Sequence, residues 1–76
     1  MEIKNGMEVM WRGGFGDDDP KPAVLDGIER TKTTHEKYGT EVPSIHWVNG
    51  RWTFPFVCNL TNGHWAYSDQ IKPMGV

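Results

Sequence analysis

Asn62-Gly63-His64-Trp65-Ala66-Tyr67-Ser68-Asp69-Gln70-Ile71-Lys72-Pro73 carries three structural signals in immediate succession. Thr61-Asn62-Gly63 predicts a turn, because Asn and Gly accept the backbone conformations that turns require. His64 to Tyr67 then reads as a short aromatic strand, and Ser68-Asp69-Gln70 as one turn of 3₁₀ helix. Ile71 is expected to plug one end of the structure, with Lys72-Pro73 leaving it. An ending of this kind belongs to a small barrel of strands. It says nothing about chemistry.

The chain upstream supports a strand architecture. No window shows sustained i, i+3, i+4, i+7 apolar spacing, and nine Gly with five Pro break the chain repeatedly. Met7, Val9 and Trp11 alternate with Glu8, Met10 and Arg12, which predicts a first strand after the turn at Asn5-Gly6. Ala23, Val24, Leu25 and Ile28 predict a second. Their apolar phase changes at Asp26-Gly27, which suggests a bulge with Gly at the strained position. Ile45 and Trp47 alternate with Ser44 and His46 in a third. Asn49-Gly50 then separates Ile45–Val48 from a fourth run, Trp52–Leu60, and is a strong hairpin signal because both residues of a type I′ turn need φ > 0. In that fourth run Trp52, Phe54, Phe56, Cys58 and Leu60 share one face. Pro55 cannot donate to a ladder, so the run is expected to lie at an edge or to bend there. Two long connections, Gly13 to Pro22 and Arg30 to Pro43, interrupt the meander, each carrying a single aromatic residue, Phe15 and Tyr38.

Seventy-six residues make one domain at most. A chain of this length buries only about 60% of the surface its unfolded form exposes, so it needs large side chains or staples. Staples are absent. One cysteine, Cys58, cannot form an internal disulfide, and no Cys/His pairing has zinc-finger spacing. Four Trp, three Phe and two Tyr supply the apolar mass instead. Eight basic residues against ten acidic give a formal charge of −2, a poor balance for neutralising phosphates. Met1 to Phe15 contains no apolar run of signal-peptide length and nothing approaches a membrane span, so a cytoplasmic location is expected. On that ground Asn59-Leu60-Thr61 matches the N-glycosylation pattern only as the coincidence of a turn.

Taken together the pattern is Gly6-x-x-Val9-x-Trp11, a loop, Pro22-Ala23-x-Leu25-x-Gly27-Ile28, and later Trp65-x-x-x-x-Gln70-Ile71-Lys72-Pro73. Over roughly residues 6 to 73 it resembles Tudor and chromo-barrel domains, at the level of the fold. The resemblance implies an all-β, five-stranded SH3-like barrel with two long loops. It also implies a ligand-binding module whose aromatic cage takes methylated Lys or Arg. By position, Phe15 matches the loop between the first two strands, and Trp47 and Trp65 match the later cage-bearing strands. The chain departs from the family at Val48-Asn49-Gly50, where Tudor domains carry Asp-Tyr-Gly.

Five aromatic residues are therefore candidate binding residues: Phe15, Tyr38, Trp47, Trp65 and Tyr67. A cluster of them attracts a cation to its ring faces, at about 0.5–2 kcal/mol per contact. The competing reading is that most of these rings are the core, which a domain without staples needs. Asp17-Asp18-Asp19 lacks the alternating spacing and closing Glu of a Ca²⁺ loop and reads as a solvated acidic tip. His35, His46, His64 and Cys58 sit on separate segments with no ligand spacing. No metal or cofactor is expected. His46 and His64 are expected on the outer face, and Cys58 as a buried inert thiol. No nucleophile–base–orienter set is visible, so an enzyme is not expected.

The functional expectation is a small non-catalytic module that binds a protein or peptide through these aromatics, with the acidic loop favouring a basic ligand. The alternative is a nucleic-acid-associated barrel using Lys32, Lys37, Arg51 and Lys72 with exposed rings for stacking. A third reading is an accessory structural subunit of a larger assembly, such as one from a phage or mobile element. No membrane partner is expected.

Overall fold

The computed structural model of the chain describes residues 1–31 and 44–75. The chain is all-β: the helical pieces among the described residues are single turns. β1 (Glu8–Trp11) leads through the helical turn α1 (Gly13–Gly16) to the long strand β2 (Lys21–Arg30). After the undescribed stretch come β3 (Trp47–Val48), β4 (Arg51–Trp52), β5 (Phe56–Leu60) and β6 (Trp65–Tyr67). A 3₁₀ turn (Ser68–Gln70) leads directly into β7 (Ile71–Pro73). Five strands form one antiparallel sheet in the order β6-β5-β2-β1-β7, and β3 and β4 form a separate hairpin.

Alternation places the core as the residue pattern requires. Val9 and Trp11 of β1 are buried while Glu8 is exposed, and Phe56, Cys58 and Leu60 of β5 are buried in the same period of two. In β2, Ala23 and Leu25 point inward, then the register with β5 shifts between Leu25 and Gly27, and Ile28 pairs with Cys58 beyond the shift. This is the expected bulge: one extra residue returns the apolar set to the inner face. Gly27 is not at the strained position expected of it, since its φ is not positive; a Cβ there would meet the Asn59 amide nitrogen at 3.3 Å.

The Asn49-Gly50 turn has φ of 52° and 81°, both positive as a type I′ turn demands, and it pairs Trp47 with Trp52. The run Trp52–Leu60, however, is two strands rather than one. It breaks over Thr53–Pro55, so that β4 stays in the hairpin and β5 joins the main sheet. Pro55 supplies the reason, having no N–H for a ladder.

Two more expectations change. The connection read as Gly13 to Pro22 is shorter, since Lys21 and Pro22 already pair with Trp11 and Met10. Its first half is ordered as α1, where Asp17 and Asp18 donate backbone N–H bonds to Gly14 and Gly13. The Asp18 carboxylate also folds back over these glycines, 2.9 Å from where a Gly13 Cβ would sit. The second change is at the C-terminal end. Lys72-Pro73 does not leave the structure but continues from Ile71 as edge strand β7 against β1, with Trp11 opposite Ile71 and Val9 opposite Pro73. Of the connection Arg30 to Pro43, residues 32–43 lie outside the described residues.

Among the described residues the sheet does not close by backbone pairing. Its outermost strands, β6 and β7, are nevertheless consecutive in the chain, and Gln70 between them links β6 to the end of β1. Buried Gln70 accepts a bond from the Tyr67 N–H (2.9 Å) and donates through Nε2 to the Arg12 carbonyl (3.0 Å). Its own carbonyl accepts from the Arg12 N–H at 2.8 Å. The N-terminal residues add a further rail. Ile3 donates to the Ile45 carbonyl and Trp47 to the Met1 carbonyl, both at 2.9 Å, which holds the segment before β3 alongside residues 1–3.

Candidate functional site

Three rings run edge-on from the surface into the core. Trp47 meets Trp52 at 5.0 Å and 72°, and Trp52 meets Phe56 at 5.5 Å and 76°, arrangements that favour aromatic pairs. The Trp52 Nε1 donates to the Ile71 carbonyl at 3.1 Å, which ties the β3–β4 hairpin onto β7. Trp47 is half-buried at the outer end of this stack and is held there by it.

Around Trp47 lies a groove in two parts. One part, about 290 Å³, is lined by Met10 and Arg12 of the first strand region, Pro20, Trp47, and Asp69 to Lys72. The other, about 360 Å³, runs from Trp47 over Arg51, Phe54 and Pro55 to Ser68 and Asp69. Trp47, Asp69 and Ile71 border both. Its apolar lining is Met10, Ile71, Phe54 and the exposed Pro20 and Pro55, and its charged lining is Arg12, Arg51, Lys72 and Asp69, all exposed. Register accounts for one of these placements: Met10 faces Lys72 across the β1–β7 ladder. The sequence reading expects any binding surface between the Gly13–Pro22 and Arg30–Pro43 connections, beside the third predicted strand; residues 32–43 of the second connection lie outside the described residues.

The five candidate aromatics do not form one cluster. Trp47 borders the groove. Trp65 and Tyr67 lie on β6 and are 53% and 46% exposed, their rings 5.2 Å apart at 85°. They belong to the outer face of the sheet, where Trp65 stands opposite Asn59 and Tyr67 opposite Val57, with Gly27 and Glu29 one strand further on. Phe15 is on the α1 turn, and Tyr38 lies outside the described residues. The sequence reading expects that Trp11, Trp47 and Trp65 do not all face solvent and that at least two are mostly buried. Trp11 is buried and Trp47 half-buried, whereas Trp65 is the exposed one.

A smaller hollow of about 190 Å³ is bordered by Trp11, Gly13, Gly14, His64, Trp65 and Gln70. Trp11 there stacks obliquely on His64 at 5.1 Å, and the Lys21 ammonium lies 4.9 Å from its ring centroid. Its Nε1 is buried without a hydrogen-bond partner among the described residues.

Arg12, Pro20, Pro55 and Asp69 border the groove as well. The sequence reading places each of them in a strand, a loop or the closing turn but names none as a binding candidate. Among the described residues no three His, Cys, Asp or Glu side chains come together as a metal site would require. His46 and His64 are exposed, as expected, and His35 lies outside the described residues. Cys58 is fully buried, and burial pushes its thiol up from 9.0 to about 11, offset in part by its contact with the Ala66 carbonyl. No helix among the described residues is long and apolar enough to cross a membrane. Compared with known proteins, the chain matches no family model, no curated protein and no solved structure.

Proposed function

We propose that this chain is an SH3-like barrel serving as a small non-catalytic module that binds a protein or peptide segment. Two features support the barrel reading. The outermost strands of the sheet are consecutive in sequence, joined by the Ser68–Gln70 turn, and the Gln70 side chain links Tyr67 of β6 to Arg12 just past β1. The binding reading rests on one observation, the two-part groove astride Trp47. Its open, extended shape suits a chain segment laid across it better than a small molecule enclosed by it. A ring fixed by packing against Trp52 is also a low-entropy contact, since little side-chain freedom remains to be lost on binding.

The test is an amide NMR titration with short peptides. Shifts confined to Trp47, Arg51, Asp69 and Lys72, and lost on Trp47→Ala with the fold retained, support the reading. Shifts confined to Trp65 and Tyr67 move the site to the outer face of the sheet.

A second reading, nucleic-acid association, is favoured by one specific observation. Arg51 and Lys72 flank the Trp47 ring, the combination of charge and stacking surface that single strands use. Of the other bases in that reading, Lys32 and Lys37 lie outside the described residues. Binding to a single-stranded oligonucleotide that weakens steeply with salt supports this alternative.

A further inference from the structure

Charge on this protein is unevenly distributed, and the groove is the place where it inverts. The chain has ten acidic and eight basic residues. Yet the rim of the groove carries Arg12 and Lys72 beside one half, Arg51 beside the other, and the single carboxylate of Asp69 between them. None of these four side chains forms an ion pair with another described residue, so their charge is presented to solvent. The neighbouring acidic run, Asp17 to Asp19, precedes Pro20 and is exposed, but none of its three residues borders either half of the groove.

We infer that the groove takes an acidic peptide segment: an apolar residue seated on Trp47 and Ile71, flanked on both sides by carboxylates. The inference rests on the peptide-binding reading above and names the chemistry of the partner. It reverses the sequence-based expectation that the acidic loop selects a basic ligand. One flanking carboxylate meets Arg12 and Lys72, and the other meets Arg51. Asp69, in the wall common to both halves, accepts from a main-chain N–H of the bound segment. Asp69 is also what disfavours a nucleic acid, because a negative charge midway along the groove opposes a continuous phosphate track. The apolar lining at Pro20, Ile71 and Pro55 suits an aliphatic anchor.

The experiment uses three capped peptides of equal length, with a central Leu-Pro pair flanked on both sides by Glu, by Gln or by Lys, and an oligothymidine of similar length. Affinities are read by calorimetry at low and high salt, with the groove residues followed by NMR. The Glu peptide is expected to bind on the order of tenfold more tightly than the Gln peptide, with the Lys peptide weakest, each exposed pair contributing a modest share. Joint substitution of Arg12→Gln and Lys72→Gln is expected to weaken the Glu peptide several-fold more than the Gln peptide, closing most of the gap between them. If the Gln or Lys peptide binds as tightly as the Glu peptide, the acidic-ligand inference is overturned while the groove stands as a peptide site. If no peptide perturbs the groove, the peptide-binding reading itself fails and takes the inference with it. Oligothymidine binding more tightly than every peptide overturns both in favour of the nucleic-acid reading.

Discussion

Replacing Gln70 by Leu removes the side chain that holds the seam between the first strand and the sixth. Two hydrogen bonds are lost, from the Tyr67 N–H and to the Arg12 carbonyl, at 2.9 and 3.0 Å. Each is worth about 1 kcal/mol net, and stranding the partners adds part of their desolvation cost, so the loss is about 2–3 kcal/mol. The backbone bond from the Arg12 N–H to the Gln70 carbonyl survives the change. For a domain of this size total stability is only about 4–11 kcal/mol, and the melting temperature is expected to fall by roughly 10–20 °C. Calorimetry, with urea unfolding followed by tryptophan fluorescence, measures both quantities.

Gln70→Glu separates this account from a general intolerance of substitution. Its carboxylate still accepts from Tyr67 but sets a negative oxygen against the Arg12 carbonyl. Desolvation and that carbonyl raise the folded carboxyl above its unfolded value, so its contribution is present at low pH and lost as pH rises. Below about pH 5 the protonated carboxyl donates to Arg12 again, and the gap to the parent protein narrows. A melting point for Gln70→Leu within about 3 °C of the parent would refute the seam argument. So would a Gln70→Glu deficit independent of pH.

Gly50→Ala is expected to cost about 1–2 kcal/mol purely through its φ of 81°, since no atom lies within 4 Å of the added methyl; thermal unfolding measures it, and a neutral result overturns the turn assignment. Trp52→Phe removes the bond to the Ile71 carbonyl and should cost about 1–3 kcal/mol while loosening the β3–β4 hairpin, seen as faster amide exchange at Trp47 and Val48. Cys58 should resist alkylation at pH 8 until the protein unfolds. Because its folded thiol is raised from 9.0 to about 11, its contribution to stability is whole below pH 9 and declines as pH rises towards 11. Rapid labelling of the native protein contradicts the buried position.

Local signals were legible wherever a short stretch of chain carries its own physical constraint. The bulge at Gly27 shows as a change of apolar phase, the Asn49-Gly50 turn as two residues tolerant of positive φ, and the inner face of β5 as strict alternation. The 3₁₀ turn over Ser68–Gln70 is of the same kind. Part of the site was legible too, since Trp47 follows from its strand and the residues around Asn49-Gly50.

Other features depend on partners far away in the chain. Whether Lys72-Pro73 leaves the structure or continues as a strand is decided by the open edge of β1, some sixty residues earlier. Whether Trp52–Leu60 is one strand or two is decided by the two sheets competing for its halves, with Pro55 as the point of release. Alternation distinguishes the faces of a strand but not which face another layer will cover. Trp47 and Trp65 therefore look alike in sequence, although the first is half-buried against Trp52 and the second is 53% exposed.

The sequence by itself determined the all-β class, the turns and the apolar face of most strands, because those follow from backbone sterics and a period of two along a few residues. Only the tertiary structure decided that Arg12, Trp47, Arg51, Asp69 and Lys72 border one groove. The physical reason is that a groove is made by strand order and cross-strand register, and these are set by long-range pairing that no local stretch of chain encodes.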